Sequence, residues 1–202
     1  MRVLLLVVVA LAACPGAQKL PEKPPAPAVP AIAGKFTNDG CLTQPNTDGT
    51  ESYLTITYTL NPTSWAEDIV VHGDEKCAAK QGTIHMDGSW NITGPSKQAP
   101  GAFDAELAVA HRTVTPHVDG YISLLMSMSC GKAPYAVNEP QDILAAGCKD
   151  LGYFPSSTCI KDYELVQTDG NTLAFGKRAA DNDACTPAKR PAAVSSVVLK
   201  RR

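Results

Sequence analysis

Seven cysteines carry the most readable chemistry in this chain, and Cys14 stands apart from the other six. It follows an unbroken apolar run, Val3 to Ala13, behind the single positive charge of Arg2. That run is well short of the roughly 20 helical residues needed to cross a hydrocarbon core of about 30 Å, so it reads as the apolar region of a signal peptide. Leu11-Ala12-Ala13-Cys14 resembles a bacterial lipobox. The chemistry needs a cysteine there, because its thiol takes a diacylglyceryl group before the peptidase cuts on its N-terminal side. The expectation is therefore a lipoprotein signal peptide over 1–13, a lipid-modified Cys14, and a protein held to a membrane of the cell envelope, the outer membrane being the one expected. The other six cysteines are Cys41, Cys77, Cys130, Cys148, Cys159 and Cys185. No CxxC or CxxxC spacing and no His/Cys cluster accompanies them, so disulfides in an oxidising compartment are expected rather than zinc or a thioredoxin-type motif.

Other reactive side chains are sparse. The sequence has no Gly-x-Ser-x-Gly elbow, no phosphate loop and no His-Glu-x-x-His. His72, His85, His111 and His117 fall on different predicted segments, where solvated or strand-edge roles are expected and a metal site is not. Asp74 and Glu75 are neighbours that would point to opposite faces of an extended chain, and a turn ahead of Cys77 suits them better than acid/base work. Asn91-Ile92-Thr93 matches a glycosylation sequon, which a lipobox protein is not expected to use. A non-enzyme without a cofactor is the expectation. With eighteen basic and twenty acidic residues, a net charge of −2 and no basic stripe, nucleic acid is not an expected partner. Lys200-Arg201-Arg202 reads as a solvated end.

Segments that could position these residues follow the composition. From Pro15 to Ala33, six of nineteen residues are proline, so 14–33 reads as the lipidated cysteine and a linker biased to polyproline II. At about 3.1 Å per residue it could hold a domain up to roughly 60 Å from the membrane. A single β-barrel domain is expected over 34–202, with a disordered C-terminal end. Leu54, Ile56, Tyr58 and Leu60 alternate with threonines from Glu51 to Leu60, the pattern of a strand with one face buried. Trp65 to His72 and Gly82 to Trp90 continue in the same way, and Phe103 to Thr115 is taken as a strand despite its alanines. Thr115-Pro116 resembles a helix cap followed by proline at the first helical position, ahead of Tyr121, Leu124, Leu125 and Met128 at helical spacing. Ile160 to Gln167 and Thr172 to Gly176 flank an Asp169-Gly170 turn, and Ala193 to Leu199 could add a last strand. Strands with turn signals and one helix point to a single antiparallel barrel or strongly curved sheet.

An ordered set of these residues resembles the adenomatosis polyposis coli down-regulated protein family, whose vertebrate members are membrane-anchored Wnt antagonists with two such domains. The set is Gly34-Lys35-Phe36 leading to Cys41, His72-Gly73-Asp74-Glu75-Lys76-Cys77, Gln81-Gly82-Thr83-Ile84, Val114-Thr115-Pro116, Cys130-Gly131, Gln141-Asp142-Ile143 leading to Gly147-Cys148, Leu173 to Arg178, and Lys189-Arg190-Pro191. It runs from about residue 34 to 199. Phe36 stands where the family has a Gly-x-Trp-like start, and Cys159 and Cys185 have no placed counterpart. The resemblance implies an all-β, lipocalin-like, partly open antiparallel barrel with one helix, whose apolar interior accepts an acyl chain. It also implies bridges Cys41–Cys77 and Cys130–Cys148, which leaves Cys159 for Cys185. The family's protein partner does not carry over.

Leu54, Ile56, Tyr58, Ile84, Met86, Trp90, Phe103, Leu107 and Val109 are the candidate walls of such a site. A barrel of about eight strands is just wide enough to fill with side chains or to hold one small ligand. Two functions follow: a lipid-anchored protein that holds an acyl chain, another hydrophobic ligand or a lidpidated protein's lipid, and an envelope interaction module with a filled barrel. Cys14→Ser is expected to leave the protein unlipidated and out of the membrane fraction, since each buried methylene of an anchor contributes about 0.8 kcal/mol and no other segment replaces it. Fractionation of the variant checks this; tight membrane binding would mean that something else holds the chain.

Overall fold

Period-2 alternation becomes an eight-stranded ring in the computed structural model, which describes residues 28–45, 49–132 and 134–202. The expected signal peptide, Cys14 and the linker up to residue 27 lie outside the described residues. The strands are β1 (Gly34–Asn38), β2 (Leu42–Pro45), β3 (Glu51–Leu60), β4 (Ser64–His72), β5 (Lys80–Pro95) and β6 (Phe103–Pro116). Helix α1 (Asp119–Ser127) follows, then β7 (Gln141–Asp142), β8 (Lys161–Thr168), β9 (Thr172–Phe175) and β10 (Leu199–Arg201).

Pairing runs β3-β4-β5-β6-β8-β9-β10-β1, antiparallel throughout. β1 then pairs back onto β3, with Phe36 facing Arg201 on one side and Tyr58 on the other. The expected antiparallel barrel with one helix is therefore present, and its ring is closed rather than partly open. Closure removes the exposed strand edges that an open sheet would have to protect. β2 continues along β3 beyond β1, and β7 adds a short pairing to β6.

The register stacks the inward residues in levels. Ile56, Ile69, Ile84 and Val114 lie across from one another at one level, Tyr58, Glu67, Met86 and Arg112 at the next, and Leu60, Trp65, Gly88 and Val109 below. Between the last two levels β6 carries an extra residue, Ala110, because Asp87 pairs with His111 and Gly88 with Val109. This β-bulge changes which parity of β6 faces inward. Gly88 allows it: a Cβ there would run into the backbone of Ala108.

The two ends of the barrel differ. One is closed by hairpins, where Trp90 donates its indole N–H to Asn61 O at 2.8 Å and Asp169 accepts the N–H groups of Asn171 (2.9 Å) and Thr172 (2.7 Å) in the expected Asp-Gly turn. The other is capped by α1 and the segment after it. Tyr121, Leu125 and Ile143 pack with Ile84, Val114, Cys130 and Cys148 in one buried cluster. The Tyr121 ring rests on Gly82, whose missing side chain makes room for it.

The three cysteine pairs are Cys41–Cys77, Cys130–Cys148 and Cys159–Cys185, closing separations of 36, 18 and 26 residues. Asp74 forms the turn before Cys77 by accepting the N–H groups of Lys76 (3.0 Å), Ala78 (3.1 Å) and Ala79 (2.7 Å). Local expectations are corrected at two places. Pro116 is the last residue of β6, and α1 starts later with Val118 as its cap residue, because β5 keeps pairing as far as Gly82 with Pro116. The final strand is Leu199–Arg201, since only there does the chain meet both β9 and β1, so the C-terminal end expected to be disordered instead closes the barrel.

Replacing Cys130 and Cys148 together by alanine is expected to lower the unfolding free energy by about 2–5 kcal/mol. Denaturant melts and faster amide exchange at Tyr121 and Leu125 check it; unchanged values would mean that apolar packing alone holds the cap.

Candidate functional site

All nine wall residues named from the sequence face the interior. Leu54, Ile84, Met86, Trp90, Leu107 and Val109 are buried, while Ile56, Tyr58 and Phe103 are only partly buried. Most belong to one cluster with Phe36, Leu60, Trp65 and Val166; Ile84 instead packs under the cap. Ile69, Val71, Tyr153 and Phe175 join them as partly buried apolar groups. Tyr58 stacks at a tilt on Phe175, ring centroids 4.4 Å apart. Two hollows of about 270 and 150 Å³ open at the surface, one beside Gln167, Thr172 and Val198 and one beside Met126, Cys130 and Tyr135. None of the nine wall residues lines either.

Set into this apolar wall is a layer of charge that the sequence reading did not single out. Glu67, Arg112 and Glu164 are 7%, 3% and 2% exposed. Arg178, arriving just after β9, donates from Nε to Glu164 at 2.8 Å and from Nη2 to Asp162 at 2.9 Å. The other oxygen of Glu164 accepts the N–H groups of Leu165 (2.9 Å) and Gly176 (3.0 Å). Tyr58 stands directly across from Glu67 on the neighbouring strand. Arg112 donates from Nη1 to Phe154 O at 2.9 Å and lies 5.1 Å from the Tyr153 ring centre, while its Nε has no partner among the described residues.

Burial sets the protonation of this layer. It pushes the Glu67 carboxyl up to about 7, against the Tyr58 hydroxyl and the Arg178 charge, which favour the ionised form. Glu164 is raised by burial too, with Arg178 opposing. Burial acts to lower Arg178, yet Glu164 and Asp162 outweigh it and its value is raised. Arg112 is lowered by burial, with Asp162 opposing. The Tyr58 and Tyr153 hydroxyls are raised, chiefly by burial. Near neutral pH the interior thus offers O–H and N–H donors among apolar walls, an arrangement able to seat the polar end of an otherwise apolar guest.

Part of this layer had a sequence signal. Glu67 occupies the inward parity of Trp65, Ile69 and Val71, and Asp162 and Glu164 that of Val166. Arg112 had none, because strict alternation from Phe103 points His111 inward and only the bulge at Ala110 brings Arg112 in. On the outside, α1 exposes Leu124 (45%) and Met126 (57%), with Val118 beside them in sequence. A scan against protein-family models finds none that matches the chain, and a search of curated proteins finds no match either.

The raised Glu67 has a signed consequence. Between its ordinary value of 4.5 and about 7 the folded state holds a proton that the unfolded state releases, so this group's contribution falls as pH rises through that window. The loss is complete above about pH 7 and amounts to about 3 kcal/mol. Glu67→Gln is expected to flatten the decline in stability between pH 5 and 8. Equal slopes in urea melts of both proteins would show that Glu67 does not titrate there.

Proposed function

We propose that this protein is a lipid-anchored binding protein of the cell envelope that takes an acyl chain or similar apolar ligand into the capped half of its barrel. The observation that carries the reading is the accessibility of Ile56, Ile69, Val71, Tyr58 and Phe175, which face inward and stay only partly buried although the ring is closed. An inward side chain of a closed barrel keeps accessible surface only where its neighbours leave space. Beside these apolar groups stand the donors of Tyr58, Glu67 and Arg112, suited to a guest's polar end.

The compartment is consistent with this. Three disulfides suit an oxidising, extracytoplasmic setting, and no helix among the described residues is long and apolar enough to cross a membrane. The lipobox-like Leu11-Ala12-Ala13-Cys14 supplies the anchor, and the likeness to the Wnt-antagonist family supports the acyl class of ligand. The ligand enters at the capped end, opposite the hairpin end where β1 starts across from Leu60. The ligand arrives there free or as the lipid of a lipidated protein.

A second reading, an interaction module with a filled barrel, is favoured by the tight packing of six wall residues and by the exposed Leu124 and Met126 on the cap. Uptake of a fluorescent fatty acid separates the two. Ile56→Trp, inside the barrel, is expected to weaken uptake at least about tenfold (about 1.4 kcal/mol) with circular dichroism unchanged. Thr59→Trp, outward on the same strand, is expected to leave it intact. A wild-type protein that takes up no fatty acid at micromolar concentration would sink the first reading in favour of the second.

A further inference from the structure

We propose that the outer wall of the barrel carries a site for a zinc-class divalent cation, formed by His85, Asp87 and His111 and oriented by Asp68. It is independent of what the interior holds. Three adjacent strands bring the four residues together on one solvent-facing patch: Asp68 of β4 pairs across to His85 of β5, and Asp87, two residues along β5, pairs across to His111 of β6. His111 is on this face only because of the extra residue Ala110.

The geometry around His85 is what calls for a cation. Its Nδ1 is 2.7 Å from Asp68 Oδ1, so Nδ1–H donates to Asp68 and the neutral ring carries its lone pair on Nε2. That Nε2 lies 3.4 Å from Asp87 Oδ2. Between Nε2 and this oxygen must lie either a second ring proton, which makes an imidazolium ion pair, or a cation. The separation exceeds the roughly 2.7–2.9 Å of a charge-assisted hydrogen bond. It matches the spacing of two ligands on a tetrahedral zinc: bonds of about 2.0–2.1 Å place them about 3.3–3.4 Å apart. The other Asp87 oxygen is 2.8 Å from His111 Nδ1, so the carboxylate already ties both imidazoles together. His111, with its side chain 72% exposed, becomes the third ligand by giving up its hydrogen bond to Asp87 and turning toward the ion. Solvent fills the remaining position. A carboxylate behind a ligating histidine, as Asp68 stands behind His85, is the usual outer partner that fixes the ring and raises its basicity. Imidazole with carboxylate selects zinc and its neighbours over calcium and magnesium, which prefer oxygen alone.

Isothermal titration of the full chain, carrying no added histidine tag, with zinc chloride tests the site. The expected result is a single zinc ion bound with a micromolar or tighter dissociation constant, and no comparable binding of calcium. His85→Ala and His111→Ala are each expected to weaken zinc binding by at least about 30-fold, and Asp68→Asn by about tenfold through its loss of hold on His85, each with native circular dichroism. His117→Ala, whose ring bonds Asn138 and Thr83 elsewhere, is the control and should leave the isotherm unchanged. Absent binding below about 100 µM, isotherms indifferent to His85 and His111, or equal binding of calcium would each overturn the proposal.

Discussion

Closure of the ring is the constraint from which the rest follows. β1 has to satisfy two partners at once, β10 through Phe36 and Arg201 and β3 through Phe36 and Tyr58. With eight strands the enclosed width is fixed, and every inward side chain competes for the same small volume. The large residues sit toward the hairpin end, where Leu60, Trp65, Trp90 and Leu107 fill the space, and the aliphatic residues sit under the cap. Glycines appear where something else needs the room, the Ala108 backbone at Gly88 and the Tyr121 ring at Gly82.

A closed, narrow interior is a costly place for charge, which explains how Arg178 is held. Its guanidinium meets two carboxylates, and Glu164 is further satisfied by two backbone N–H groups, so little of that cluster's hydrogen-bonding capacity is wasted. Such a cluster contributes little net stability beside an apolar replacement, but losing one member leaves the others stranded at several kcal/mol. Its role is better described as fixing how β8 and the chain after β9 dock. Glu67 avoids the same cost differently, by keeping its proton near neutrality.

The long strands were legible because their side chains report both faces. Threonines against Leu54, Ile56, Tyr58 and Leu60 mark β3, and β4, β5 and β6 follow the same logic. Glu67, Asp162 and Glu164 were visible as charges on an apolar parity, a pattern easily passed over when the eye follows only the apolar residues. Arg112 and the pairing of Asp87 with His111 were not visible at all. A bulge leaves no mark on alternation except a break, and the Ala108-Val109-Ala110 stretch, with no polar residue, hides where the break falls. β10 was misplaced for another reason: a three-residue strand takes its conformation from the partners it meets, and Val197-Val198 just before it are as strand-like by composition.

The seam between β1 and β10 also governs when this protein can acquire its structure. Residues 36 and 201 are neighbours in space and far apart along the chain, so the final pairing is about as non-local as the fold permits. Non-local pairing makes folding slow, and here it makes folding wait. A polypeptide that emerges from its N-terminal side delivers β3 to β6 early as consecutive hairpins, yet β1 keeps one bare edge until Leu199 to Arg201 emerge. During that interval the half-built sheet is the species most open to proteases, wrong cysteine partners and neighbouring chains.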